Sequence, residues 1–245
     1  MSDFLDNNVN FGFNPNDNYA REFLELFTIG KGPQIGPGDY SHFTEGDIIE
    51  ATRVLSGWRK GDRDDPNHRD LDTDLNRNYP VYIYHAHGDK TFSYHFQNAT
   101  ITDAVDENDM YRELSDFVDL IFAQLETARH LARRMYRFFV KAQISQEVET
   151  DIIEPLAQIL FGNDYNLEIG LKTLLASQHF YDMDDGTHGD EVIGGLIKSP
   201  LELITSAISF FQIERPDPVT SSFWHYFQFY HRGMFQDTFE NTGFN

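Results

Sequence analysis

The chain has 245 residues, of which 40% are hydrophobic and 15% aromatic, so it can bury a sizeable core. Its formal net charge is -21, from 40 acidic against 19 basic residues, and such a surface repels the phosphates of nucleic acids and of anionic membranes. The absence of cysteine excludes disulfides, thiolate metal sites and cysteine nucleophiles. No apolar run reaches the roughly 20 residues that cross a bilayer. We therefore expect a globular protein with no nucleic-acid partner and no transmembrane segment.

The N-terminal residues 1–15 are rich in Asn and Asp and are predicted to form an extended arm. This arm has neither the basic start nor the apolar core of a signal peptide. A single helical domain is predicted to follow over residues 16–245. Its first helix is expected over residues 18–29, because an Asn-Asp pair precedes it as a cap and Gly30 ends it.

The polar residues of this first helix share one narrow stripe on a helical wheel, and the rest of the helix is apolar. They are Asn18, Arg21, Glu22 and Glu25. Such a helix is expected to be buried on most sides, with its stripe facing a crevice or partner side chains. One interpretation is the polar wall of a binding site. The alternative is a half-exposed helix with an Arg21–Glu25 pair worth roughly 0.2–0.5 kcal/mol.

The next two elements are a helix and a β-hairpin. Thr44 and Asp47 form a variant of the capping box, which predicts a helix that ends at Gly57. Residues 81–96, VYIYHAHGDKTFSYHF, have the composition and alternation of a hairpin with a two-residue Gly-Asp turn.

Two histidines of this hairpin form a candidate metal site. His85 and His87 are two residues apart, so on a strand both would project from one face and could share a divalent metal ion. Aromatic packing of this Tyr-rich segment is the alternative. The acidic loops at 62–74 and 182–191 offer oxygen ligands that suit calcium, but neither has the Gly placement and terminal Glu of an EF-hand loop. Solvated loops are the better interpretation of both.

The second half of the chain has helical periodicity throughout. Two helices are predicted within residues 108–141, with a break near 125–127, and further helices at 147–161, 166–178, 200–211 and 218–236. The predicted fold class is therefore mainly α, a multi-helix globular domain with one small β-hairpin.

One of these helices gathers much of the chain's positive charge. The segment ETARHLARRMYRFFVKA carries Arg129, Arg133, Arg134, Arg137 and Lys141. Arg binds carboxylates or phosphates through two parallel hydrogen bonds, which would suit a ligand or intramolecular contacts to the stripe of the first helix. The alternative is a solvated basic face that neutralises nearby acids. We take Arg133 and Arg137 as candidate binding residues.

Five separated segments of the chain keep the order and spacing of a known pattern. They are NYAREFLELFTIG at 18–30, VLSGW at 54–58, HAHGDKTF at 85–92, LETARHLARRMYRFFV at 125–140 and IKSPLEL at 197–203. These segments resemble the bacterial family catalogued as domain of unknown function 1800, whose pattern reads approximately NYARELLELFTLG, a helix ending in TGW, HDxGxKT, HPATARFIARKLxRFFV and an SP-initiated helix. Ala86 is a departure, because the family has Asp after this His.

The resemblance implies a location and a site. It implies that the chain is the central and C-terminal part of a longer protein, exported to the periplasm, cell surface or medium, with other envelope proteins as expected partners. It also suggests that the polar stripe, the HxxGxK segment and the Arg-rich helix meet at one pocket. Glu22, Glu25, His85 and Lys90 would then surround a metal ion or an anionic group. The family has no established activity, so positions transfer without roles.

Two functions stay open. The first is a non-catalytic structural or interaction protein of the cell envelope, in which the polar residues form buried pairs that fix helix packing. The second is a metal-dependent enzyme or a ligand-binding protein with a Glu/His/Lys pocket. The sequence has no GxSxG elbow, phosphate-binding loop, GxGxxG or HExxH motif, so no complete catalytic constellation can be assembled. The first function is therefore favoured, and whether the chain is an enzyme stays undecided.

Overall fold

The computed structural model describes residues 5–60, 69–70, 75–76, 78–182 and 200–212. The chain divides into two compact units, Met1–Glu191 and Val192–Asn245, which are described separately. The helix predicted at 218–236 and nearly all of both acidic loops lie outside the described residues.

The fold is mainly α, as the sequence predicted. In the first unit the helices are α1 (Asn18–Glu22), α2 (Glu45–Val54), α3 (Glu107–Phe122), α4 (Leu125–Phe139), α5 (Gln146–Val148), α6 (Glu154–Gly162) and α7 (Leu167–Leu175). Single π-helical segments, Phe23–Phe27 and Glu149–Ile153, extend α1 and join α5 to α6. The second unit contributes α8 (Pro200–Phe210). In the part of the chain that the structure describes, no helix is both long and apolar enough to cross a bilayer.

Local signals place the ends of the first two helices. The Asn16 side chain accepts a hydrogen bond from the Asn18 backbone at 3.1 Å, and Gly30 ends this helical region with a φ of 76°. At α2 the predicted capping box is present: the Thr44 hydroxyl accepts from the Asp47 backbone, and the Asp47 carboxylate accepts from the Thr44 backbone. These contacts satisfy backbone donors that a helix start leaves free.

The strands are short and form two-stranded antiparallel sheets. The pairs are β1 (Gln34–Gly36) with β2 (Asp39–Tyr40), β3 (Trp58–Lys60) with β6 (Asn78–Pro80), β4 (Arg69–Asp70) with β5 (Leu75–Asn76), and β7 (Lys90–Thr91) with β8 (Thr100–Ile101).

The prediction of one hairpin within residues 81–96 is wrong. Tyr82–Tyr84 and Tyr94–Phe96 are 3-10 turns, and β7 pairs with β8 beyond the predicted segment. The reason lies in the backbone: the Tyr84 carbonyl accepts from Gly12 of the arm, and the Tyr84 and His85 amides donate to local turn carbonyls. These groups are therefore not available for a hairpin ladder.

The core of the first unit lies between α1, α2 and α3. Its fully buried members include Leu24, Phe43, Ile48, Phe96 and Phe117, the last of which stacks on Phe92 with ring centroids 5.6 Å apart. The helix α4 packs against α6 and α7 and also contacts α3. The periodic apolar residues of these helices supply the contacts, as expected for amphipathic helices.

The N-terminal arm is fastened to the end of α2. Within residues 5–15 it forms a 3-10 turn at Asn7–Val9 and an isolated bridge between Phe11 and Asn14. Asn10 is fully buried, its amide donates to the Thr52 carbonyl at 2.9 Å, and its carbonyl accepts from Gly57 at 3.0 Å. The arm therefore belongs to the packed structure around residues 52–57.

Candidate functional site

The site begins at the C-terminal end of α2, where Ser56 holds the segment that carries His85. The Ser56 hydroxyl donates to the Arg53 carbonyl at 2.6 Å and accepts from the Ala86 backbone at 2.8 Å. Gly57 follows with a φ of 79°, and a Cβ there would lie only 2.9 Å from the His85 nitrogen. A residue without a side chain is therefore needed for the two backbone segments to approach this closely.

Four side chains meet beside this contact, and we call them the ionic cluster: His85, Lys90, Asp103 and Glu113. The Lys90 ammonium lies 2.9 Å from Glu113 Oε1, 2.9 Å from Asp103 Oδ1 and 3.2 Å from His85 Nε2. The side chains of His85 and Lys90 are 0% exposed, that of Glu113 is 1% exposed and that of Asp103 is 27% exposed. The centre of the cluster is therefore closed to solvent, and Asp103 forms its outer edge.

The two ring nitrogens of His85 have different partners. Its Nδ1 lies 3.0 Å from the Ser56 carbonyl, which can only accept, so Nδ1 carries the proton. Its Nε2 lies 3.2 Å from the Lys90 ammonium, which can donate to it, and also 3.2 Å from both oxygens of Glu113. The ammonium has three protons, and His85, Asp103 and Glu113 provide three acceptors, so each proton has a partner.

Backbone groups also donate hydrogen bonds to the two carboxylates of the cluster. Glu113 Oε2 also accepts from the Ala104 amide at 2.8 Å. Burial raises the pKa of Asp103, but hydrogen bonds from the Gly88 backbone and the Lys90 ammonium outweigh it and hold that pKa below its usual value. The cluster thus places one lysine and one histidine side chain against two acidic side chains.

Three members of the cluster are of types that bind metal ions. Ligand atoms of His85, Asp103 and Glu113 lie within 4.8 Å of one another. An imidazole and two carboxylates suit a divalent ion such as zinc. The Lys90 ammonium already lies among these three side chains, and a cation would have to compete with it for the same lone pairs.

The rings of the predicted metal pair, His85 and His87, lie edge to face with their centroids 6.3 Å apart. His87 is exposed, and its ring packs on Tyr82 with centroids 4.7 Å apart. Among the described residues, the group that can share one ion contains His85 but not His87.

The stripe of the first helix makes its contacts with α2 and the following loop. Arg21 forms a bidentate pair with Glu45, at 3.0 and 2.8 Å, and lies 3.6 Å from Glu25, which in turn binds Lys31 at 2.8 Å. The Arg21 hydrogen bonds lower the pKa of Glu45 to about 2, and those carboxylate contacts raise the pKa of Arg21. Among the described residues, the side chains that contact Arg21 and Glu25 therefore do not belong to the ionic cluster.

The remaining two residues of the stripe are Asn18 and Glu22. The Asn18 amide lies 3.4 Å from the Leu5 carbonyl of the arm, and Glu22 is partly buried. The structure thus brings Lys90 together with His85 and brings Arg21 together with Glu25, as two separate sets of contacts.

The Arg-rich helix α4 binds acids of its own and of the following helices. Arg133 donates to Glu126 at 2.6 Å and to Glu149 at 2.5 Å, and Arg129 makes a bidentate pair with Glu154. Arg137 is exposed in the last turn. These contacts favour the interpretation in which the basic face neutralises nearby acids.

Sequence reasoning missed the two acids of the ionic cluster. Glu113 lies on the apolar face of α3, in register with the buried Met110, Phe117 and Ile121. A Glu in a repeat of i, i+3, i+7 and i+11 is a signal for a buried carboxylate that needs a partner. Asp103 lies in an irregular segment, where no such periodicity exists.

Comparisons with known proteins complete this description. Searches among curated proteins and among solved structures gave no match. The model of a family described as a protein of unknown function, DUF1800, matches residues 1–240, nearly the whole chain. The chain therefore belongs to the DUF1800 family of proteins of unknown function.

Proposed function

We propose that this chain is a non-catalytic structural or interaction protein, in which the ionic cluster fixes the packing of α3 against the segment of residues 85–90. The observation that supports this most is the hydrogen bonding of Lys90: a fully buried ammonium has an acceptor for each of its three protons. A catalytic Lys or His needs a free lone pair or a transferable proton within reach of a substrate. The centre of the cluster offers neither to solvent.

The structural role is tested by a double-mutant cycle on Lys90 and Glu113. Lys90→Met and Glu113→Gln should each lower the free energy of unfolding by about 3–5 kcal/mol, because each leaves a buried partner without compensation. The double variant should lose less than the sum, because it removes both charges together. Urea unfolding measures all three values.

An exposed ion pair provides the matched control. Lys172 and Glu168 lie one turn apart on α7, with side chains 74% and 73% exposed. Lys172→Met should change the free energy of unfolding by only about 0–1 kcal/mol. Additive losses at Lys90 and Glu113 would contradict a coupled structural cluster.

The geometry of His85, Asp103 and Glu113 favours metal binding as the second candidate function. Titration of the purified protein with zinc, followed by thermal unfolding, separates the two. Under the structural proposal zinc leaves the melting temperature unchanged, and Lys90→Ala gains a zinc response that Lys90→Ala with His85→Ala lacks. A stoichiometric zinc response of the unmodified protein, abolished by His85→Ala, would favour the second candidate instead.

The proposal includes an envelope location, which the family resemblance supports. Fractionation of cells that carry the native gene tests it. Recovery with the envelope or the medium agrees with a structural or interaction role among other envelope proteins. Recovery with a cytoplasmic marker protein contradicts this part of the proposal and leaves the role of the ionic cluster untouched.

A further inference from the structure

The C-terminal half of α4 combines positive charge with apolar surface. Arg134, Arg137 and Phe138 are exposed and lie within about 100° of one another around the helix axis. A terminal nitrogen of Arg134 donates to the carbonyl of Leu26, at the end of the first helical region, at 3.2 Å. Leu26 is 54% exposed and Phe138 is 74% exposed. We call these four residues the basic apolar face.

The two arginines of this face differ from the other two arginines of the same helix. Arg129 and Arg133 are bound to glutamates of their own helix and of the segments that follow it. Within the described residues, no carboxylate pairs with Arg134 or Arg137. Two cations thus stay without an acidic partner in that part of a chain that has 40 acidic residues.

The environment of His130 reflects this charge. On the helical wheel His130 lies between Arg134 and Arg137, and its Nε2 lies 3.2 Å from the same Leu26 carbonyl. Burial lowers the pKa of His130, and the neighbouring arginines of α4 lower it further. The charges acting on this imidazole are therefore positive, although the whole chain carries -21.

The apolar part of the face extends to two neighbouring aromatic rings. Phe138 packs edge-on against Phe139 with ring centroids 4.7 Å apart. Phe139 is 36% exposed, and Phe27, next to Leu26 in the chain, is 37% exposed. Arg and aromatic residues are enriched at protein interfaces, where rings supply buried area and guanidinium groups bind carboxylates. This combination suits an apolar side chain that is flanked by acids.

The net charge of the chain distinguishes between occupants of such a face. At about 0.15 M ionic strength the Debye length is about 8 Å, so a short peptide bound here interacts mainly with the two arginines. An anionic membrane, a nucleic acid or a second copy of the chain presents a broad negative surface, which the 40 acidic residues repel. These charges favour a short acidic segment of a different protein.

We propose that the basic apolar face binds an acidic amphipathic segment of a partner protein. Two carboxylates of the segment accept hydrogen bonds from Arg134 and Arg137, and an apolar side chain packs between Phe138 and Leu26. The two arginines are about one turn apart, so carboxylates one turn apart on a partner helix match them.

This inference rests on the proposed function as an interaction protein, and it assigns that function a surface. The double-mutant cycle on Lys90 and Glu113 measures the structural role of the ionic cluster, whereas peptide titration measures binding at α4. Failure of one is therefore distinguishable from failure of the other.

A blocked, alanine-rich helical peptide of about fifteen residues tests the proposal. It carries two glutamates one turn apart, two leucines on the same face and a fluorescent label at one end. Fluorescence anisotropy with the intact chain should show saturable binding that weakens as salt is added. The same peptide with glutamine in place of glutamate should bind about fivefold more weakly or less. Shifts of the Leu26 and Phe138 backbone amide signals in nuclear magnetic resonance locate the peptide.

Variants separate the charged and apolar contributions. Arg137→Gln and Phe138→Ala should each weaken binding of the glutamate peptide about fivefold. Lys172→Gln removes a cation whose side chain is 74% exposed on α7, and Val105→Ala shortens a residue that is 73% exposed. Neither control should change binding. Arg137→Glu should abolish binding of the glutamate peptide and allow binding of a peptide with lysine in place of one glutamate.

Four results would overturn the proposal. The first is the absence of saturable binding, or equal binding of the glutamine peptide. The second is equal weakening by Lys172→Gln and Arg137→Gln, because it would show that overall charge and not a site attracts the peptide. The third is binding of phosphatidylglycerol vesicles that displaces the peptide, which would assign the face to a membrane surface. The fourth is a dimer in sedimentation equilibrium that Arg137→Gln dissociates, which would assign it to a second copy.

Discussion

At the scale of single residues, the carboxylate of Asp47 joins two distant parts of the chain. It caps its own helix by accepting from the Thr44 backbone at 2.7 Å, and it also accepts from the Ser93 backbone at 2.6 Å and the Ser93 hydroxyl at 2.7 Å. Asp47 is 0% exposed. One buried side chain therefore satisfies donors from two segments 46 residues apart.

We predict that Asp47→Asn lowers the free energy of unfolding by about 2–4 kcal/mol, because an amide replaces one acceptor oxygen with a donor and leaves buried N–H groups unpaired. Urea denaturation measures the loss. The control is Asp119→Asn on the exposed face of α3, where we expect a change within about 0.5 kcal/mol. Equal effects of the two variants would show that the buried acceptor is not needed.

A second prediction concerns acid stability and Glu45. The Arg21 hydrogen bonds and that of Tyr40 lower the pKa of Glu45 from 4.5 to about 2 in the folded protein. A lowered folded pKa stabilises the protein above the unfolded pKa, and this contribution is lost as the pH falls from about 4.5 to about 2. Glu45→Gln should therefore lose less stability than the unmodified chain across that range. Solvent screening keeps the difference small, since the Glu45 side chain is 38% exposed.

Unfolding by urea at a series of pH values between 7 and 2 measures this difference. Glu147→Gln, an exposed acid in α5, is the matched control and should follow the unmodified chain. Parallel curves for Glu45→Gln and the unmodified chain would contradict the assignment of a low pKa to Glu45.

These residues show which contacts a sequence can predict. The Thr44–Asp47 capping box was predictable, because its members are three residues apart and follow a known pattern. The Ser93 contacts of Asp47 were not, because no periodicity links residues so far apart. The same holds for Lys90 with Glu113: the apolar register of α3 marks Glu113 as buried, but only the fold shows which cation reaches it.

At the scale of elements, helices were predicted well and the β segment poorly. A helix is defined by local periodicity and caps, so α2, α3, α4 and α7 lie close to the predicted ranges. The aromatic residues of the 81–96 segment serve a different purpose. Tyr84 packs edge-on against Phe11 of the arm at 5.3 Å, and the Arg59 guanidinium lies over both rings. The alternating aromatic residues of this segment resemble a strand in sequence, but the segment folds into turns.

The packing of the N-terminal arm against this segment gives a third prediction. A Cβ at Gly12 would lie 2.6 Å from the His85 carbonyl oxygen and 2.7 Å from the Ala86 Cα, both backbone atoms that cannot rotate away. We expect Gly12→Ala to lower the free energy of unfolding by about 1–3 kcal/mol, because the arm must lift from the segment that carries the ionic cluster.

A glycine with free space provides the control for that substitution. At Gly162, the last residue of α6, an added Cβ meets nothing within 4 Å. Gly162→Ala should be neutral or stabilising by up to about 1 kcal/mol, since Ala favours the helix. Chemical denaturation of both variants gives the comparison. A neutral Gly12→Ala would mean that the arm does not pack against His85 in solution.

At the scale of the whole molecule, charge is organised differently at short and long range. Neighbouring charges are paired: Arg21 with Glu45, Arg129 with Glu154, Arg133 with Glu149, and Lys90 with Glu113. The chain as a whole still carries -21. Composition gives this excess and helical periodicity predicted the fold class, whereas the pairing depends on tertiary contacts that composition does not contain.

The final prediction follows from this difference in range. At about 0.01 M salt the Debye length is about 30 Å, so like charges across the molecule repel one another, whereas at about 0.15 M it is about 8 Å and that repulsion is screened. Ion pairs in contact at 2.5 to 3.0 Å are screened much less. We therefore expect the melting temperature to rise with salt over this range. Calorimetry in sodium chloride and in tetramethylammonium chloride measures it, and equal rises in both identify screening in place of specific ion binding. A fall in the melting temperature would mean that exposed ion pairs contribute more to stability than the net charge removes.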